Sequence, residues 1–549
     1  MRTDIGTSNG NIPSTQTDQE YDVVVVGGGF SGCYLLHTLR KAGFKVLLLE
    51  AAPALGGVWQ WNRYPGARVD THAPLYSLAI PEVYNTWNWT QRFPSHYELR
   101  DYFQHVDKVL SLSKDCIFNT KVTEAVWDDT TSKWTVHTEH GARFMARYWI
   151  PCLGFAANRV FPKWPGIENF KGEIHHSSFW PSEQVDVRNK RVAVIGTGAT
   201  GVQIVQETGP QARQLTVFQR TPNTCCPLRQ KNLTVEEQEV ERKNYRTKYA
   251  FRYLSEGGYD FSPAPVNTFD HSEEDRRAFF EERWAQGGFL LWSGGYQDVL
   301  TNPKANREVF EFWKEKIRPL IDDPAKRELL APQEPPHPFG AKRTALYTTF
   351  YEVMNQPNVD IVDVKSNPIS HLTDTGIVTK DGKLHEFDII ALATGFDAIT
   401  GGLKQINIRN SQGKTLNQKW NNGTKTHLGL MVREFPNMFF SYGPHGPTGF
   451  SNGPTAIELQ GDWIRDLLER ARESGWKSIQ PTAQAETRFS KLVNDLTFKT
   501  LIVESDSYWV GGNVEGKKKE GLNFPGGVPL YNRLITESAS KGYADFEVV

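Results

Sequence analysis

Cysteine is scarce: five residues in 549, none arranged as C-x-x-C. That excludes a disulfide framework. A charge excess is lacking too, since 62 Lys and Arg face 63 Asp and Glu for a formal net charge of -1. Bulk nucleic-acid binding and a polybasic membrane surface are therefore not expected, although a local basic pocket is compatible with this balance. No apolar run approaches the ~18 residues that span a bilayer. Residues 1–20, rich in Thr, Ser, Asn and Gln, also lack an apolar stretch and read as a disordered arm rather than a secretory signal. No metal site is expected. What is present is a globular mixture, 39% hydrophobic and 23% charged, long enough for two or more domains and expected in the cytoplasm.

The informative feature is a repeated pattern. Tyr21 to Val26 is a β-branched apolar run ending in glycines, which reads as a buried parallel strand. Ser31 to Lys41 reads as a helix and Val46 to Glu50 as the next strand, completing one βαβ unit. The pattern returns at Arg191 to Ile195, a helix from about Gly201, and Leu215 to Arg220. Between about Leu228 and Pro336 the character changes. Thr234 with Glu237, and Ser272 with Asp275, are capping-box patterns ahead of charged helical stretches. Val309, Phe312, Trp313 and Ile317 recur at helical spacing, and Pro319 should end or kink that helix. Another apolar strand at Phe387 to Ala393 suits the end of a dinucleotide-binding unit. The predicted fold class is α/β: two Rossmann-like dinucleotide-binding domains with a helical insertion. The expected arrangement is nested, a first domain over 21–155 and 381–549, interrupted by a second over 156–228 and 336–380, which carries the insertion over 229–335.

The two glycine loops have different partners. Gly27-Gly28-Gly29-Phe30-Ser31-Gly32 follows a strand and opens a helix, where glycines let the backbone approach a pyrophosphate seated on the helix N-terminus. Glu50, eighteen residues past Gly32, ends the second strand, where a carboxylate accepts bonds from ribose hydroxyls. The second loop is Gly196-Thr197-Gly198-Ala199-Thr200-Gly201, and nineteen residues past Gly201 come Arg220 and Thr221 with no acid. A carboxylate would repel a 2′-phosphate, whereas a guanidinium pairs with it, so this site should prefer NADPH to NADH. Together the loops predict non-covalent FAD at the first site and NADPH at the second. Disulfide reductases would pass the electrons to a cysteine pair. The only adjacent cysteines, Cys225 and Cys226, are vicinal and read as packing. Oxygenases instead let reduced flavin react with O₂, and carry a different signature.

That signature is Phe170-Lys171-Gly172-Glu173-Ile174-His175-His176-Ser177-Ser178-Phe179-Trp180-Pro181. It resembles F-x-G-x-x-x-H-x-x-x-W-P of the type I Baeyer–Villiger monooxygenases, with Phe170, Gly172, His176, Trp180 and Pro181 matching. The similar flavin-containing monooxygenases lack the Trp-Pro ending. Its position between the two nucleotide domains suits a linking role. The segment from Gly56-Gly57-Val58-Trp59 through Tyr64-Pro65-Gly66 to Asp70 looks like the family's G-G-x-W-x-x-x-x-Y-P-G-x-x-x-D. The resemblance implies that Gly57, Val58, Trp59 and Tyr76 line the flavin and that Asp70 faces its reacting edge. Read from the residues alone, an Asp in a Gly/Pro-rich loop is more often a turn former. Ala341-Lys342-Arg343, followed by Tyr351 and Asn355 to Val359, is similar to the family's K-R pair, whose Arg is catalytic and whose Lys helps bind the 2′-phosphate. Neighbours on an extended segment point to opposite sides, so one such pair can serve two ligands. Ala393 to Ala398 resembles the family's A-T-G-F-D-A turn, and Ser507 to Lys517 resembles the mobile loop that folds over bound nucleotide, Trp509 included. Pro151-Cys152-Leu153-Gly154 departs from the A-T-G-like turn of many relatives. The resemblance runs from about Tyr21 to Asn532.

By that resemblance, NADPH reduces FAD, O₂ adds to the reduced ring as a peroxide, and its attack on a ketone yields an ester or lactone. Arg343 would be the permanent cation beside the anionic oxygen species, with Asp70 orienting it. Two other readings compete: N- or S-oxygenation in the flavin-containing monooxygenase manner, and a non-catalytic flavoprotein. The expected partners are a small ketone and O₂, acting on a monomer. Which ketone is not legible, because pocket candidates such as Leu430, Phe450 and Phe524 suit a core equally well.

Overall fold

The computed structural model describes residues 20–549, so all but the last residue of the arm predicted over 1–20 lies outside the described residues. Glu20, counted with that arm, opens the first strand, Glu20–Val26. Val23 to Val26 are buried because parallel neighbours flank the strand on both sides, Val46–Leu49 and Arg143–Pro151, with Val23 opposite Val46 and Tyr148. This sheet has seven strands. A hairpin of Val122–Asp128 and Lys133–Thr138 extends it on one side, with Asn407–Arg409 at that edge and Cys116–Ile117 at the other. The helix Phe30–Lys41 covers one face and packs against the long helix Gly453–Glu473, burying Leu35, Leu36, Ile464, Leu467 and Leu468 in one core.

The second sheet is wholly parallel, in the order Val359–Asp363, Gln214–Gln219, Arg191–Ile195, Ile389–Leu392, Glu173–His176. Its membership corrects the predicted boundary at 381. Ile389–Leu392 pairs Ile389 with Val192 and Leu392 with His176, so the chain leaves the second sheet only after Leu392. An entirely apolar strand needs cover on both faces, and either sheet could have provided it. The pattern alone does not choose between them.

Between 229 and 335 the chain is largely helical, with Val235–Arg242, Tyr245–Phe251, Glu273–Gln286, Pro303–Ile317 and Pro324–Leu330 as its main helices. Thr234 caps the first through a reciprocal box with Glu237, and the Ser272 hydroxyl accepts the Asp275 N–H at 3.1 Å. Pro319 follows the end of Pro303–Ile317 in a 3₁₀ turn. Arg252 of this region, 0% exposed, ion-pairs with Glu458 on the long helix, and Glu458 also accepts the Ala79 N–H at 2.8 Å. The insertion is thereby tied to the first sheet's covering layer. Among the described residues no helix is long and apolar enough to cross a membrane.

Candidate active site

The first glycine loop has no room for side chains. Gly27 has φ +104°, and a Cβ there would lie 2.5 Å from the Cys152 carbonyl oxygen. A Cβ on Gly32 would run into the Gly27 carbonyl oxygen. The helix that follows starts at Phe30 with Gly29 as N-cap and no side-chain cap, so its first N–H groups face the loop mouth. Glu50, 5% exposed, accepts the Gly28 N–H with one oxygen and the Ala52 N–H at 2.7 Å with the other. Burial pushes its pKa up, against the pull of those backbone donors. A carboxylate has about four acceptor sites, so capacity for ribose hydroxyls remains. Gly56 donates to the Gly28 carbonyl at 2.8 Å, which lays the 56–59 segment over the loop. Trp59 donates to the Tyr76 hydroxyl at 3.2 Å, and Phe30 meets the Tyr76 ring edge-on at 5.0 Å. Val58, in contrast, is exposed, and Ser31 is buried beside Ser441 at 3.4 Å.

The second loop repeats the device. Gly196 has φ +108° and would clash with the Ala393 carbonyl at 2.7 Å, while Gly198 has open space where a Cβ would stand. The helix Ala199–Thr208 again lacks a side-chain cap. Thr197 donates to the Thr221 carbonyl at 3.0 Å, and Arg220 lies exposed at the end of its strand. Thr200 and Gln203 face the first domain: Tyr64 donates to Gln203 at 2.8 Å, and Gly66, φ +78°, sits where a Cβ would be 2.6 Å from the Gln203 carbonyl. Lys342 is half-buried and has no ion-pair or hydrogen-bond partner among the described residues. Both loops are thus shaped for a dinucleotide, and an unpartnered lysine beside a strand-end arginine suits a phosphate.

The segment matching the monooxygenase signature forms an edge strand of the second sheet, Glu173–His176, followed by a 3₁₀ turn. Phe170 and Trp180 are buried, and Pro181 follows directly. A Cβ on Gly172 would strike the Asp388 carbonyl and the Phe170 ring. His176 accepts the Ser178 N–H at 3.2 Å and meets Phe396 edge-on at 5.9 Å. Burial, with Arg159 adding, lowers its pKa to about 4. Phe396 belongs to one of two crossover segments that run side by side between the sheets. Val160 donates to Gly395 at 2.9 Å and Asp397 to Asn158 at 2.8 Å. The signature therefore abuts the connection between the two nucleotide units.

Asp70 and Arg343, far apart in sequence, meet in space. Arg343 Nε donates to Asp70 at 2.8 Å and Nη2 to its other oxygen at 2.9 Å, a bidentate pair, while Nη1 reaches the Gly449 carbonyl at 3.2 Å. The guanidinium lies 4.8 Å from the Phe289 ring and 5.7 Å from Trp292. Burial opposes its charge, but the Asp70 carboxylate, with Tyr508 and Tyr259 adding to it, holds the pKa well above the ordinary arginine value. Trp509, 1% exposed, stacks on Trp292 at 5.9 Å and meets Phe450 at 4.6 Å. Tyr508 stacks on Phe155 at 6.1 Å. The loop carrying them is held down by Lys517, which ion-pairs with Asp397 at 2.6 Å, and by Asn513, which donates to Phe396 at 2.7 Å.

Sequence reading did not find Tyr259, Phe289 and Trp292, because they come from the insertion, where no motif marks them. Of the apolar pocket candidates, Phe450 joins this centre, whereas Leu430 and Phe524 are fully buried in the first sheet's core. Cys225 and Cys226 are free, buried thiols, and burial pushes the Cys225 pKa up to about 12.

Two glycine loops shaped for dinucleotides, together with a largely buried Arg343–Asp70 pair, suit a flavoprotein oxidoreductase. Residues 20–225 match the family model described as flavin-binding monooxygenase-like. The chain is 44% identical to cyclopentanone 1,2-monooxygenase of Comamonas sp., over 97% of each chain. It is 36% identical to the methyl acetate-forming acetone monooxygenase of Gordonia sp., over 96% of this chain and 98% of that protein. Among solved structures it resembles an NADP-bound steroid monooxygenase (TM-score 0.91, 38% identity, 97% and 100% covered) and a closed cyclohexanone monooxygenase (TM-score 0.93, 34% identity, 97% and 100% covered). The chain belongs to the Baeyer–Villiger monooxygenase family of flavoproteins.

Proposed function

We propose that this protein is an FAD- and NADPH-dependent Baeyer–Villiger monooxygenase that inserts one atom of O₂ beside the carbonyl of a small ketone, giving an ester or lactone. The other oxygen atom leaves as water, with NADPH as the two-electron donor. The observation that carries this reading is the bidentate Arg343–Asp70 pair in a chain that also has two glycine loops shaped for dinucleotides.

Gly27, Gly29, Phe30, Ser31, Gly32, Glu50, Gly57, Trp59 and Tyr76 would hold FAD; Gly196 to Gly201, Arg220, Thr221, Lys342 and Trp509 would hold NADPH. FAD, reduced by NADPH, supplies the electrons that activate O₂. Arg343 supplies a charge that does not titrate away. Of its five N–H groups, two go to Asp70 and one to Gly449, which leaves two to meet negative charge as it builds on oxygen. Asp70 fixes the plane of the guanidinium. The rings of Phe289, Trp292, Phe450 and Trp509 limit the water that reaches it, which strengthens that electrostatic contact.

The relatives named for cyclopentanone and acetone support a compact ketone. Trp180-Pro181 and Lys342-Arg343 favour it over an amine or sulfide, which paired product assays on the two substrate classes would decide. Five unpaired thiols suit a reducing compartment and hence the cytoplasm, and sedimentation would check the monomer. Arg343→Ala is the direct test. NADPH should still bleach the bound flavin anaerobically, while ester formation falls ~10²–10³-fold and hydrogen peroxide accumulates. A normal ester yield would remove Arg343 from its role.

A further inference from the structure

We propose that Lys519, two residues past the Ser507–Lys517 loop, is a third recognition cation for the 2′-phosphate of NADPH, so that this segment reads the phosphate together with Arg220 and Lys342. The proposal rests on the nucleotide assignment above and adds a residue from a separate part of the chain.

The argument starts from charge. Among the described residues, the side chains of Arg220, Lys342 and Lys365 have no ion-pair or hydrogen-bond partner. Lys519 has one partner, Asp506, at 2.8 Å. These groups share one field. Burial first, and then Arg220, lowers the Lys342 pKa; Lys519 and Lys365 push the same way, and Asp506 alone opposes. The Asp506 carboxyl is in turn held low, chiefly by its hydrogen bond from Lys519, with Lys342 and Arg220 also contributing. Three cations, Lys519, Lys342 and Arg220, thus act on one carboxylate, and Lys365 adds to the field at Lys342. Such an excess is self-repelling unless a further anion enters, and a phosphate monoester brings about -1.5 to -2 charges.

Geometry places the loop where it can take part. Ser505 donates to the Ala341 carbonyl at 3.2 Å, which pins the root of the loop onto the residue before Lys342. Asp506 is next in the chain. A Cβ on Gly512 would come within 3.0 Å of Lys519 Cε and 2.9 Å of Asp506 Cα, so the glycine lets the two arms of the loop close on each other. The Lys519–Asp506 pair itself is 50% and 62% exposed, and a pair so exposed contributes little to stability. It is therefore easily exchanged: a doubly charged phosphate beside Lys342 competes with Asp506 for the Lys519 ammonium.

The test measures binding, not turnover. The FAD-loaded enzyme is titrated with NADP⁺ and NAD⁺ at low salt, following the flavin difference spectrum. Lys519→Met should weaken NADP⁺ about tenfold and leave NAD⁺ unchanged, the loss expected for one charge-assisted contact at a partly exposed site. Lys519→Arg should restore the preference, and Asp506→Asn, which removes the competing carboxylate, should tighten NADP⁺. Equal weakening of both nucleotides by Lys519→Met, or no weakening of either, overturns the proposal, as does loss of NADP⁺ affinity in Asp506→Asn. If Arg220→Ala also leaves the NADP⁺ preference intact, the nucleotide assignment itself has failed. If Arg220→Ala abolishes it and Lys519→Met does not, only the role of Lys519 has.

Discussion

Replacing Asp70 by Asn keeps the shape of the side chain and removes its charge. Both carboxylate oxygens accept bonds from Arg343, at 2.8 and 2.9 Å. Asn has one acceptor oxygen, and its amide nitrogen would face a donor. One charge-assisted bond is lost and the other becomes a bond to a neutral acceptor. Bonds to charged groups contribute about 1.5–3 kcal/mol, and the two side chains are 20% and 25% exposed, which favours the lower half of that range. About 2 kcal/mol of orienting energy corresponds to a roughly thirtyfold drop in the fraction of guanidinium held in its productive plane. Arg343 stays charged throughout, so the effect is one of placement. The assay is ester formed per NADPH consumed, run beside anaerobic bleaching of the flavin. Ester turnover should fall about thirtyfold with bleaching little changed and hydrogen peroxide making up the difference. If ester per NADPH is unchanged, Asp70 does not orient the cation; if bleaching falls as far as ester, it acts on nucleotide binding instead.

Two further outcomes concern stability. Glu458→Gln should cost about 3–5 kcal/mol, since it strands a fully buried Arg252, and Arg252→Met combined with Glu458→Leu should recover much of that loss in thermal melts; a single variant as stable as its parent refutes the link between insertion and long helix. His96, His176 and His445 are kept neutral, chiefly by burial, with pKa values lowered to about 4. The unfolded chain therefore takes up protons first as pH falls through ~6.5, and stability drops from there down to about pH 4. At pH 5.5 the loss is about 1.4 kcal/mol per histidine, and urea midpoints that stay flat between pH 7 and 5 would contradict it.

The βαβ units were legible because each demands a local conjunction: an apolar strand, glycines at φ values such as +104° and +108°, and an uncapped helix. The helix caps at Thr234 and Ser272 were legible for the same reason, since a cap is decided within four residues. Sheet membership is not local. Ile389–Leu392 satisfies the same burial in either sheet, and only its partners Val192 and Glu173 assign it. Pocket composition is less local still. Phe289 and Trp292 lie in a short helical segment whose sequence reads as ordinary core, yet they form the wall against Arg343. Family resemblance, and no spacing rule, brought Asp70 and Arg343 together on paper.

That long-range pairing has a consequence for how the centre is built. Asp70 belongs to the loop that leaves the first cradle, and Arg343 to the segment that returns from the insertion to the second sheet, so neither domain contains the pair by itself. The surface between them is already specified around it. Tyr64 bonds Gln203, and Gly66 leaves no room for a side chain against the helix Ala199–Thr208. The crossovers are zipped from Phe155 to Val160, with the signature histidine against them. The ion pair, with bonds of 2.8 and 2.9 Å, thus bridges segments from the two sides of this surface. Docking of the two units and formation of the Arg343–Asp70 pair therefore draw on the same surface, and the signature histidine packs on the crossovers that join them.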